Sequence, residues 1–264
     1  VFNIIIGQYV PGQSIIHRLD PRVKLISIFI FVIIVFLANN WITYGLVVLF
    51  SIIGILLSKV PFRFIYRGLR AIIIIIIFTF ILNVLFTKQG DLLISIGWIH
   101  IYKGGLIGGL FISIRLLAII VITTLLTLTT TPIDITDGIE ILLGPLKKIK
   151  LPIHEFALMM SISLRFIPTL LEETEKIMKA QSARGSDFAS GSVKQRIKAI
   201  IPLLVPLFVS AFKRAEELAM AMEARGYRGD EGRTRLRVLK WTGKDTALII
   251  IMLMLTVALV VLRT

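Results

Sequence analysis

Ala71-Ile72-Ile73-Ile74-Ile75-Ile76-Ile77-Phe78-Thr79-Phe80-Ile81-Leu82-Asn83-Val84-Leu85-Phe86 carries no charge and only two polar side chains, Thr79 and Asn83. A helix of this composition has no polar face to turn toward water, so the segment reads as a membrane span rather than a surface helix. Lys59, Arg63, Arg67 and Arg70 stand just before it. Such a basic edge is expected where a span leaves the lipid on the cytoplasmic side.

The same pattern recurs on both sides of this span. Toward the amino terminus lie two more apolar runs, Val23 to Ala38 and Ile42 to Ser58, separated by the turn residues Asn39-Asn40 and the interfacial aromatic Trp41. Asp20-Pro21 opens the earlier run, an N-cap residue followed by proline at the first helical position. Toward the carboxyl terminus, Gly90-Asp91 and the alternating residues through Ile101 suggest a small hairpin. Gly104 to Leu128 then forms a fourth span and Thr246 to Leu262 a last one. The predicted fold class is all-α, an integral membrane protein with about five transmembrane helices and a domain of long amphipathic helices. The expected division is 1–131 for the first four spans, 132–244 for the second domain and 245–264 for the final span.

Composition agrees with this reading. Of 264 residues, 56% are hydrophobic and 17% charged, which excludes an ordinary soluble domain. Lys and Arg number 30 against 16 Asp and Glu, and the net charge of +14 suits a chain facing anionic headgroups or acidic partners. The basic residues flank or separate the apolar runs instead of forming a groove-reading patch, so nucleic acid is not expected as a partner. The absence of cysteine excludes disulfides, thiolate metal sites and cysteine nucleophiles. No cleavable signal peptide is read at the amino terminus, and insertion is expected to use the internal spans. Arg18, Arg22 and Lys24 before the first span, the cluster before the third, and Lys240 and Lys244 before the last predict a cell-membrane protein whose amino terminus and second domain are cytoplasmic.

Between the fourth and last spans the character changes. Pro152 to Gly185 reads as a helix, apolar through Leu164 and then amphipathic, with Leu170, Leu171, Thr174, Ile177, Met178 and Gln181 on one face. Val193 to Gly226 repeats the design, with an apolar section holding Pro202 and Pro206, then Phe212, Ala215, Leu218, Ala219 and Met222 on one side. The apolar run from Ala199 to Phe212 is too short to cross about 30 Å of hydrocarbon, so it is expected along the membrane's inner face or beneath the spans. Ala183-Arg184-Gly185 superposes on Ala224-Arg225-Gly226 with a shift of 41 residues, which also aligns Glu175 with Glu216 and Ala180 with Ala221. Glycine suits the end of each helix because it enters the left-handed conformation without a Cβ penalty.

A single motif of this kind has a bland explanation, since arginine in a last helical turn compensates the helix dipole. Two copies, each after an apolar stripe (Ile177 and Met178 in one, Leu218 and Met222 in the other), fit instead a pair of tips that fill grooves on a partner. Arginine there can pair bidentately with a carboxylate or cap carbonyls, and two tips suit a partner with two similar subunits. Together with the opening segment Gly7 to Leu25 and the Leu126 to Pro132 stretch, the paired motifs resemble the transmembrane T components of energy-coupling factor transporters. The resemblance covers most of the chain. It implies that Ala183, Arg184, Gly185, Ala224, Arg225 and Gly226 dock two ATP-binding cassette ATPase subunits, and that the membrane part holds a separate substrate-binding S component. ATP-driven closing of the ATPases would move the two coupling helices and tilt the S component, driving vitamin or metal-ion uptake.

Other candidates are less specific. Gly104, Gly105, Gly108 and Gly109 allow another helix to approach closely, whether the S component or a neighbour in the same chain. Arg115, near the middle of the fourth span, requires a carbonyl, water or acidic partner. No phosphate loop of the Gly-x-x-x-x-Gly-Lys-Ser/Thr type is present, so partners are expected to bind the ATP and this chain to need no cofactor. His17, His100 and His154 are scattered, and no metal ligand or catalytic residue is assigned. A rival reading is a membrane-bound enzyme or lipid-interacting protein whose basic helices lie on headgroups, which shares the charge pattern. A channel or secondary carrier would place polar residues in discontinuous spans, where only Arg115 and Asn83 stand out.

Overall fold

Asp20 starts the first helix as its sequence demands: the carboxylate accepts the backbone N–H of Arg22 at 2.9 Å, and Pro21 occupies a position where no N–H is needed. The computed structural model describes residues 9–96, 99–149, 151–186, 193–229 and 239–263. In chain order they form α1 (Pro21–Ile34), a 3-10 turn (Val35–Leu37), α2 (Trp41–Ser58), α3 (Phe62–Phe86), β1 (Leu92–Ile96), β2 (Ile99–Tyr102), α4 (Lys103–Thr129), α5 (Pro132–Leu143), a second 3-10 turn (Gly144–Ile149), α6 (Ile153–Ala183), α7 (Val193–Ala224) and α8 (Gly243–Val261). The chain divides into two units, residues 1–142 with 238–264, and residues 143–237.

The first unit is a bundle of apolar helices. Phe31, Val47, Leu128, Met252 and Leu259, from α1, α2, α4 and α8, are fully buried at its centre. Its outward faces carry Phe29, Leu56, Ile74, Phe78, Leu253 and Val257, all exposed. Large apolar side chains in such number on the outside are the reverse of a water-soluble surface and match lipid as the solvent. Trp41 opens α2 with its ring exposed and packed edge-on to Phe111, as an interfacial aromatic should. Asn40 caps the same helix, accepting the Thr43 N–H at 2.9 Å.

Three helices are long and apolar enough to cross a membrane, α2, α4 and α8, and α3 makes a fourth when its halves Phe62–Arg70 and Ile72–Phe86, bent by 54°, are taken as one span. The first expected span differs. Its α-helix ends at Ile34 and tightens into the 3-10 turn, so the pair reaches about 27 Å, just short of the hydrocarbon thickness. The expected hairpin forms as antiparallel β1 and β2. Its turn, Gly97 and Trp98, lies outside the described residues. Within the first unit, α5 lies against α1 where Gly138 approaches Leu25 and the backbone of Arg22.

The second unit is built on α6 and α7, which pack on each other. Neither contains an uncharged, apolar stretch long enough to be a span. Pro168 sits inside α6, and Pro202 and Pro206 inside α7.

Candidate functional site

The two Ala-Arg-Gly motifs end their helices in the same way, bond for bond. Gly185 has φ of +88° and Gly226 of +71°, the left-handed region where an L side chain is strained. At the first tip the Ser186 N–H reaches back to the Gln181 carbonyl at 3.0 Å and the Gly185 N–H to Ser182 at 3.0 Å. At the second, the Tyr227 N–H bonds the Met222 carbonyl at 3.0 Å and the Gly226 N–H bonds Glu223 at 2.8 Å. Both are Schellman caps, with the arginine at the last half-helical position and the glycine just beyond. Ala183, Arg184 and Gly185 are exposed, as are Ala224, Arg225 and Gly226. Of the apolar residues leading to them, Ile177, Met178, Leu218 and Met222 are half-buried. Each tip therefore offers a guanidinium, a small residue and open backbone to whatever approaches.

Sequence reasoning missed what joins the two copies. Glu173 of α6 accepts from Arg214 Nη2 at 3.1 Å and from the Ser210 hydroxyl at 2.6 Å. Glu173 and Arg214 occupy equivalent positions under the 41-residue shift, and each motif arginine lies eleven residues beyond its member of the pair. A strict repeat would set like charges at this meeting point; the exchange of Glu for Arg converts repulsion into a pair. The signal was in the sequence, because opposite charges at equivalent positions mark where two copies can touch. The second tip has a further tie. His154, buried in the first turn of α6, and the Tyr227 hydroxyl lie 3.3 Å apart in a hydrogen bond.

In the first unit, the two stretches that carried the resemblance are held together. The Val10 N–H bonds the Leu128 carbonyl at 2.9 Å. Lys24, read from sequence as a charge at the lipid edge, turns inward instead and is buried, its Nζ donating to the Thr129 carbonyl and the Thr130 hydroxyl at 3.0 Å each. Beside it, Arg22 grips the Asp20 carboxylate through Nε at 3.0 Å and Nη2 at 2.6 Å, and the Asp20 N–H donates to Asp245 Oδ1 at 2.8 Å. The other oxygen of fully buried Asp245 accepts from the Thr242 N–H and hydroxyl. Burial opposes ionisation of Asp20, but the hydrogen bonds and charge of Arg22, with Lys24 nearby, outweigh it and hold the carboxyl below its ordinary value of 3.8. This cluster latches the start of α1 to the start of α8.

The remaining candidates also lie in the first unit. A Cβ on Gly104 would fall 2.5 Å from the Gln89 carbonyl oxygen, and one on Gly105 2.9 Å from that of Thr87. Gly109 faces Phe80 and Asn83, while Gly108 faces open space. Three of the four glycines thus let α4 lie close against α3 and the residues just after it. Arg115 donates to the Ala38 carbonyl at 3.2 Å and the Tyr44 hydroxyl at 2.7 Å, with its guanidinium 4.9 Å from the Phe36 ring centre. It braces the turn between α1 and α2, neutral oxygens and aromatic faces taking the place of a counter-ion.

Lipid-facing helices in one unit, and in the other two long helices that end in one duplicated cap, define an integral membrane protein of the all-α class, with strand confined to one small hairpin among the described residues. Residues 12–236 match the CbiQ family model, described as cobalt transport protein. The chain is 65% identical to the energy-coupling factor transporter transmembrane protein EcfT of Bacillus subtilis (strain 168) over 261 residues, 99% of this chain and 98% of that one. It is 55% identical to EcfT of Exiguobacterium sibiricum over 260 residues, 98% and 99% of the two chains. With EcfT of Lactococcus lactis subsp. cremoris it shares 50% identity over 258 residues, 98% and 97% of the two. The chain belongs to the EcfT family, the transmembrane T components of energy-coupling factor transporters.

Proposed function

We propose that this chain couples two ATP-binding cassette ATPase subunits, docked at Arg184 and Arg225, to a membrane S component that carries a vitamin or metal ion. The observation that carries the reading is the pair of identical caps, each presenting an exposed arginine at a helix end. An exposed guanidinium on a rigid cap is suited to enter a partner groove and meet a carboxylate or a set of carbonyls there. The Glu173–Arg214 contact ties the two helices at equivalent points, so movement imposed on one tip is felt by the other. The chain itself has no catalytic role in this scheme: ATP is bound and hydrolysed by the partners, and no cofactor is required. Basic residues at the span edges support placing the amino terminus and the second unit on the cytoplasmic side of the cell membrane.

The test is affinity purification from mild detergent of the native sequence and of Arg184→Glu with Arg225→Glu, followed by mass spectrometry. Two ATPases and a small membrane protein are expected with the native chain, and loss of the ATPases with the reversed one, since each arginine contact becomes a like-charge contact. Retention of both ATPases by the double variant overturns the docking role.

A further inference from the structure

A cavity of about 380 Å³ opens within the first unit between α1, α2, α4 and α8. It reaches from Lys24 and Lys244, in the first turns of α1 and α8, to Phe31 and Met252 two helical turns further on. At 1.5 Å per residue this depth is roughly 10 Å. Besides the two lysines, the polar side chains on its described wall are Ser27 and Thr129; the rest is aliphatic, aromatic or glycine.

Ser27 is the informative member. Two other buried hydroxyls in the same bundle bond back to the carbonyl four residues earlier, Ser51 to Val47 at 2.9 Å and Thr129 to Leu125 at 2.7 Å, and buried Ser58 bonds the Ile55 carbonyl at 2.7 Å. Ser27 is 7% exposed and lines the cavity, and its buried hydroxyl has no hydrogen-bond partner among the described residues. A buried hydroxyl left unmet is costly, which points to an acceptor or donor supplied from outside the chain. Lys244 is exposed at the mouth, and buried Lys24 uses two of its three N–H donors on Thr129 and Thr130.

We propose that this cavity binds one anionic phospholipid. An acyl chain fills the apolar depth, and the phosphate sits at the mouth against Lys244, with Lys24 behind it and the Ser27 hydroxyl meeting a polar oxygen of the ester region. Lipid is the natural occupant because the helices that form the cavity are bathed in it, and exposed Lys244 at the mouth favours a negative headgroup, the charge of Lys24 being already offset by Asp20, Asp134 and Asp245. The site is independent of the tips on α6 and α7, so its failure would leave the coupling reading untouched.

The full chain, exchanged into vesicles holding equal phosphatidylglycerol and phosphatidylcholine, is re-extracted in mild detergent, and retained lipid is counted by mass spectrometry. The native chain is expected to keep about one phosphatidylglycerol and little phosphatidylcholine, and Lys244→Glu to lower that retention about tenfold or more. Gly54→Val fills the cavity from α2, where a new Cβ meets Leu125 at an ordinary 3.4 Å, and is expected to lower retention without touching a charge. The exposed Lys244 variant keeps the test decisive should the filled variant not fold. Equal retention of the two lipids, unchanged retention by Lys244→Glu, or a protein segment cross-linked into the cavity in place of lipid overturns the proposal.

Discussion

Gly185 and Gly226 hold the two tips in shape by backbone conformation alone, because a Cβ at either would meet nothing within 4 Å. Replacing either by alanine therefore adds no clash and costs only the left-handed strain, roughly 1–2 kcal/mol. The expected outcome is a local loosening: hydrogen exchange should speed at the Ser186 amide in Gly185→Ala and at the Tyr227 amide in Gly226→Ala, while α1 to α4 are unaffected. Unchanged exchange at both amides would show that the caps do not depend on glycine. That Arg184 and Arg225 stand at two like helix ends was legible from the sequence, because repetition singled them out. Ser27 and Lys24 were not, since periodicity reports which residues share a face but not whether a hydroxyl or an ammonium finds a partner.

At the scale of elements, α6 and α7 carry between them the partly exposed Glu173–Arg214 pair, which solvent screens. A double-mutant cycle on Glu173 and Arg214 should give an interaction energy of roughly 0.5–1 kcal/mol. Glu173→Arg or Arg214→Glu alone sets like charges together and should broaden the distance between spin labels at residues 183 and 224. The swapped double variant should narrow it again, and a swap that leaves the distribution broad would remove this pair from its bracing role. Most elements could be read in advance: Asp20-Pro21 opened α1, Asn39-Asn40 separated it from α2, and glycine ended α6 and α7. The shortening of α1 into a 3-10 turn could not, because the run stays apolar there and hydropathy carries no information about backbone geometry; the 54° bend of α3 falls where the basic edge ending at Arg70 meets the apolar run, a change of character that gives the place of a break but not its angle.

For the molecule as a whole, the latch of Asp20, Arg22 and Asp245 ties the beginning of the bundle to its last helix. Because the folded Asp20 carboxyl sits below its ordinary 3.8, the stability it brings is complete above that value and is lost as pH falls through the lower folded value. Thermal unfolding in detergent should therefore shift downward below about pH 4, and Asp20→Asn should flatten that dependence. An unchanged slope in the variant would assign the acid response to other carboxylates. The second unit, for its part, has the makings of a machine. Each motif arginine stands eleven residues from the shared contact, giving two levers of equal length, about 16 Å. A turn of about 10° about that fulcrum displaces either tip by about 3 Å. With equal arms neither side holds a mechanical advantage, so any inequality in the force delivered through the two tips has to originate in whatever grips them.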